Sequence, residues 1–136
     1  MRRRLEEARV ARLATADANG RPHVVPITFA VAGDHLYFAV DAKPKRTTDL
    51  KRLRNIAANP TVSVLVDHYE DDWSRLSWVR IDGAAQVLDD RAEIEHAQAL
   101  LASKYEQYRS ARPPGPVVAI TIQRMIGWAA DKNPAR

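Results

Sequence analysis

Arg21-Pro22-His23-Val24-Val25-Pro26-Ile27-Thr28-Phe29-Ala30-Val31 alternates along its whole length. His23, Val25, Ile27, Phe29 and Val31 fall on one face, and Val24, Pro26, Thr28 and Ala30 on the other, which predicts one long β-strand over 21–31. Pro26 adds a condition. Proline has no N–H to give a ladder and is confined to sheet edges and bulges. Something other than a full set of strand partners must therefore face the middle of this strand.

The flanking sequence builds a sheet outward from it. Asn19-Gly20 is a two-residue hairpin signal, and Val10 to Ala16 alternates as the strand before it. Gly33-Asp34 turns the chain into a third strand, Leu36 to Val40. Thr61 to Asp67, with Val62, Val64 and Val66 on one face, is a fourth. His68 to Arg75 has no period and reads as a loop. Leu76 to Leu88 is a fifth strand with Val79, Ile81, Ala85 and Val87 inward, and Gly83 marks a bulge or bend. Val117 to Ile122 is a sixth, and Arg124 to Ala130 continues its pairing or packs beneath it.

Three helices are expected among these strands. One is short, over 2–9. One follows the turn stiffened by Pro44, with Leu50, Leu53, Ile56 and Ala57 at helical spacing and Asn59-Pro60 as its stop. The third opens on Asp90-Arg-Ala-Glu93, a capping-box pattern, and carries Ile94, Ala97, Leu101, Tyr105 and Tyr108 on one face. The fold class expected is α+β, a six-stranded antiparallel barrel-like sheet with peripheral helices. Residues 1–130 form a single domain and 131–136 a tail.

Composition excludes several function classes. At 136 residues, 46% hydrophobic and 28% charged, the chain is an ordinary globule with enough length for a core. It has no cysteine, hence no disulfide frame and no thiolate chemistry. No apolar run approaches a membrane span, and no signal peptide is evident behind the N-terminal arginines, so a cytoplasmic protein is expected. The net charge of +4 is concentrated at those arginines and in 43–54. With no helix-turn-helix, zinc finger or RNP-type strand, nucleic acid is not the expected partner. The histidines lack metal-ligand spacing, so no metal site is expected. No nucleophile or acid–base pair stands out, so no catalytic residue is assigned. If the protein is an enzyme, a bound cofactor carries the reactive chemistry.

Asp41-Ala42-Lys43-Pro44-Lys45-Arg46-Thr47-Thr48 supplies the candidate anion site. A helix N-terminus carries partial positive charge and prefers acids nearby, yet Lys43, Lys45 and Arg46 sit just before this one. Bound phosphate would make the arrangement favourable. The alternative is a solvated basic loop.

The order Ala14-Thr15 … Asn19-Gly20-Arg21-Pro22-His23-Val24-Val25-Pro26, then Lys43-Pro44-Lys45-Arg46, then Leu53-Arg54-Asn55-Ile56 … Asn59-Pro60-Thr61-Val62-Ser63-Val64-Leu65-Val66, resembles the pyridoxamine 5′-phosphate oxidase-like split β-barrel family. Asp67-His-Tyr … Asp72-Trp73-Ser-Arg-Leu76 … Trp78-Val79-Arg80 … Asp82-Gly83 is similar to an actinobacterial branch of probable deazaflavin-dependent oxidoreductases. The resemblance implies a homodimer with cofactor grooves at the subunit interface. It places the tricyclic ring along Val25, Pro26, Ile27 and Thr28, and the cofactor phosphate at Lys43, Lys45 and Arg46, with Lys51 and Arg52 as further candidates. Trp73 and Trp78 join the set as aromatic cofactor or interface residues. The implied cofactor is coenzyme F420, with FMN as the alternative, and the implied activity is hydride transfer to an unsaturated small molecule. A non-catalytic cofactor carrier is the remaining reading.

Overall fold

A computed structural model describes residues 1–40, 47–113 and 115–130, with 47–50 as backbone only. The elements in chain order are α1 (Arg2–Glu7), β1 (Ala11–Ala16), β2 (Pro22–Ile27), β3 (Ala30–Ala32), β4 (His35–Ala39), α2 (Thr47–Ala58), β5 (Thr61–His68), a 3-10 turn (Trp73–Arg75), β6 (Ser77–Val87), α3 (Arg91–Lys104), α4 (Glu106–Ser110) and β7 (Val117–Ala129). The strands form one antiparallel sheet of seven in the order β2-β1-β5-β6-β7-β4-β3.

The expected count of six strands is corrected by the stretch that opened the sequence reading. The run 21–31 is not one strand. It breaks after Ile27, and its halves, β2 and β3, occupy opposite edges of the sheet. Laid flat, seven strands would hold those edges ~29 Å apart, at about 4.8 Å per strand spacing. Yet the three residue steps from Ile27 to Ala30 span at most about 11 Å. The sheet is therefore curled into a half-barrel whose two edges are tied by Thr28-Phe29. Phe29 fills the space inside this bend, with no solvent exposure.

The core follows the alternation of the strands. Leu13, Phe29, Leu36, Phe38, Val64, Val79, Ile81, Val118 and Ile120 meet inside the curl. Leu5 from α1 and Ile56 from α2 close the same cluster. The inward set predicted for β6 holds for Val79, Ile81 and Ala85 but not for Val87, which is 37% exposed at the strand's end. The expected bulge is present. The β6–β7 register shifts between Asp82, paired with Arg124, and Gly83, paired with Ile122. A Cβ on Gly83 would lie 2.2 Å from the Thr121 carbonyl oxygen, so the close approach of β7 requires glycine there.

Two further boundaries move. His68 belongs to β5 rather than to a loop, and β7 runs unbroken through Arg124 to Ala129. Asp90 caps α3 as expected, its carboxylate accepting the Glu93 N–H at 3.0 Å. The helix then stops at Tyr105, whose backbone is extended, and α4 begins afresh. Tyr105 and Tyr108 therefore do not continue the helical stripe of Ala97 and Leu101. They turn toward the Thr28-Phe29 corner.

Candidate functional site

The tip of the β1–β2 hairpin is held by one carboxylate. Asp17 accepts the N–H groups of Asn19 and Arg21, each at 2.9 Å, and Gly20 takes a positive φ of 82°. The Arg21 N–H above all holds the Asp17 carboxyl below its ordinary range, with a smaller contribution from the Lys51 ammonium. Lys51 of α2 thus stands toward this hairpin. Its neighbour Arg52 turns the other way: it is 9% exposed, with its guanidinium 5.8 Å from the centre of the Phe38 ring. The two α2 cations proposed for one phosphate therefore have different settings. Between α2 and β1 the buried Asn55 amide donates to the Thr15 hydroxyl at 3.1 Å, which seats the helix against the hairpin.

β2 is the terminal strand of the sheet, so one side of its backbone has no strand partner among the described residues. This meets the condition that Pro26 imposed. Pro26 is exposed opposite Arg12, and Val24 beside it is 62% exposed. The Nδ1 of His23 is buried without a hydrogen-bond partner among the described residues. Beyond the strand, the Thr28 hydroxyl shares a 2.9 Å hydrogen bond with the phenol of Tyr108. Val25, Pro26, Ile27 and Thr28 are thus brought together as one open edge, except that the Ile27 side chain turns into the core.

The tryptophans are elsewhere. Trp78 stands in a row with Asp67 and Trp128, and β6 is three strands from β2, ~14 Å across the sheet. It borders an open cleft of about 570 Å³ beneath α1, whose walls include Arg4, Arg12, Asp67 and His68. Trp73 is 75% exposed on the 3-10 turn. Among the described residues, the cleft that Trp78 borders includes none of Val25, Pro26, Ile27 or Thr28. Lys43, Lys45 and Arg46 lie outside the described residues, as does the expected 131–136 tail.

Sequence reasoning missed His23, Arg12 and Tyr108 as members of this region. The β1–β2 register could have supplied Arg12 as the partner of Pro26. Nothing local could have tied Tyr108 to a residue 80 positions away. Among the described residues no group of three or more His, Cys, Asp or Glu side chains is placed to hold a metal ion. No helix among them is long and apolar enough to cross a membrane.

Comparison with known proteins agrees with this architecture. A FAD-binding protein from Mesorhizobium loti is 29% identical, with a TM-score of 0.70 over 93% of this chain and 89% of its own. The FAD binding protein from Mycobacterium smegmatis shares the fold at 20% identity and a TM-score of 0.64, over 91% and 87% of the two chains. The heme storage protein HutZ from Vibrio cholerae also shares it, at 18% identity and a TM-score of 0.72, over 94% and 90%. A search of curated protein sequences found no match. The sequence profile described as pyridoxamine 5′-phosphate oxidase matches residues 1–129. The chain belongs to the pyridoxamine 5′-phosphate oxidase family.

Proposed function

We propose that this protein is an oxidoreductase that holds a flavin-type tricyclic cofactor along the open edge of β2, with coenzyme F420 as that cofactor. The observation that carries the reading is the edge itself. Val25 to Ile27 of β2 present one side of the main chain without a strand partner among the described residues, interrupted by a proline that could not have served an inner strand, and Thr28 follows directly. A planar ring rich in heteroatoms fits there, because it can take up the unpaired backbone groups of the edge. When bound, such a cofactor supplies hydride transfer. The chain's own part is to orient the ring, exclude water from it and hold the phosphate with the cations around the start of α2.

The separation of Trp78 from β2 supports a second part of the proposal. On this reading the β2 edge of one copy and Trp78 of another touch the same cofactor. The site then lies between the subunits of a homodimer. Exposed Trp73, Trp128 and Val24 suit burial in such an interface.

Side-by-side titrations of the purified apo-protein with coenzyme F420, FMN and FAD test the reading. Tight binding of F420 and weak binding of the others is expected. The second reading, an ordinary flavin in the same groove, is favoured by the likeness to the FAD-binding protein from Mesorhizobium loti. Preferential FMN or FAD binding would decide for it, and no binding of any of the three would sink both. Turnover with a conjugated carbonyl substrate would separate an enzyme from a carrier.

A further inference from the structure

The joint between α3 and α4 converges on the two residues that link the sheet's edges. The Tyr105 phenol accepts the Phe29 N–H and faces the Phe29 carbonyl, and the Lys104 ammonium sits 3.9 Å above the Phe29 ring. Tyr108, from the first turns of α4, reaches the Thr28 hydroxyl. Its ring packs edge-on against Tyr105, 5.7 Å between centres, so the phenol is carried on a fixed support. Thr28 directly follows the open β2 edge, and it is half-buried.

We infer that Tyr108 is a positioning residue for the cofactor, acting through the Thr28 hydroxyl. The inference rests on the placement of the cofactor ring along β2. A hydroxyl has one proton and two acceptor lone pairs. When the Tyr108 phenol donates to Thr28 Oγ1, the Thr28 proton is left to point away from α4, toward whatever lies against the edge. Tyr108 thereby makes Thr28 a donor to the ring. A donor at that place favours the reduced cofactor, which carries more electron density on its ring heteroatoms, over the oxidised one. Helix α4, absent from any reading based on the strands alone, would then tune the redox balance of a cofactor that it does not touch.

The test uses whichever of F420, FMN and FAD binds the parent most tightly, with the variants Tyr108→Phe and Thr28→Val. Both keep the bulk of the side chain and remove only the hydroxyl hydrogen bond. The readout is the midpoint potential of the bound cofactor, together with its affinity in each redox state. Each variant is expected to lower the ratio of reduced-state to oxidised-state affinity by about three- to tenfold, the scale of one hydrogen bond. Tyr108→Phe keeps the Thr28 hydroxyl but no longer orients its proton, so its effect is expected at the lower end of that range. The double variant is expected to equal Thr28→Val alone, because without the Thr28 hydroxyl Tyr108 has nothing to orient. A merely structural Tyr108 would change the two affinities alike and leave the potential where it was, and that result overturns the inference. So does a shift with Thr28→Val that Tyr108→Phe does not share. In both cases the parent still binds cofactor and the broader reading stands. If the parent binds none of the three, that reading falls and this inference falls with it. Should Tyr108→Phe fail to fold, Tyr108→Leu and Thr28→Ala carry the same comparison.

Discussion

The phenol of Tyr105 accepts the amide N–H of Phe29 at 3.1 Å, and its single proton lies between the carbonyls of Arg9, at 2.9 Å, and Phe29, at 3.1 Å. One side chain therefore satisfies the backbone at the corner where the chain passes from one sheet edge to the other. It also ties that corner to the segment between α1 and β1. The Arg9 guanidinium lies over the same ring, 4.6 Å from its centre. Tyr105→Phe would leave a buried N–H unsatisfied, so a loss of about 1–3 kcal/mol is expected. Urea unfolding should show a lower midpoint with an unchanged slope. A midpoint equal to the parent's would show that water serves the corner as well as the phenol does.

Gly83 makes a second, steric prediction. A methyl group there collides with backbone, the Thr121 carbonyl, and not with the free end of a side chain. Gly83→Ala must open the β6–β7 ladder at its bulge, and a cost of about 1–3 kcal/mol or more follows. Thermal unfolding against the parent measures it, and an undisturbed midpoint would mean that the strands separate there at little cost.

Lys104 predicts a pH dependence. Burial above all, aided by the nearby Arg9 charge, pushes its ammonium down to about 8. The unfolded chain holds that proton more tightly than the folded one. Below about pH 8 the amine is charged in both states and the burial penalty is present in full. Stability then rises with pH, up to the ordinary lysine value near ~10.4. The Phe29 ring face offsets part of the penalty as a cation–π partner. Lys104→Met is expected to flatten the rise between pH 8 and 10 and to raise the thermal midpoint at pH 7. A variant with the parent's pH profile would remove Lys104 from the account.

The basic stretch before α2 makes a fourth prediction. Cations at a helix start oppose its dipole, so Lys45→Ala with Arg46→Ala should leave the apo-protein as stable as before, or slightly more so. If these residues clamp a cofactor phosphate, affinity should fall on the order of a hundredfold, from charge-assisted bonds of roughly 1.5–3 kcal/mol each. That loss should shrink as salt rises. Unchanged affinity at low salt would move the phosphate toward Lys51, since Arg52 is already turned onto Phe38.

The antiparallel sheet and its bulge were legible because both are local signals. Period-two alternation, Asn19-Gly20 and Gly83 each act within a few residues. Pro26 was legible as an edge residue for the same reason, since a missing N–H is a property of the residue alone. The break at Thr28-Phe29 was not, because its cause is distant. Tyr105 and Tyr108 lie some eighty positions away, and alternation runs through the corner without a glycine or proline to mark it. Arg52 illustrates the same limit at the site. Its charge is plain in the sequence, but whether it faces a ligand or the core depends on how α2 is seated, which Asn55 and Thr15 decide from different elements.

The curl also constrains the order in which the chain can fold. β1 with β2, and β5 with β6, are joined by short connections and can pair early. Pairing of β4 with β7 brings Leu36 opposite Ile120, 84 positions apart (120 − 36), and so must close a long loop before any contact rewards it. We expect β3 and β4 to dock last, with the Thr28-Phe29 corner bent only in that late step. Leu36→Ala should then speed unfolding and leave the folding rate nearly unchanged, whereas Val64→Ala should slow folding. Equal slowing by both in stopped-flow refolding would mean that the half-barrel closes as one piece.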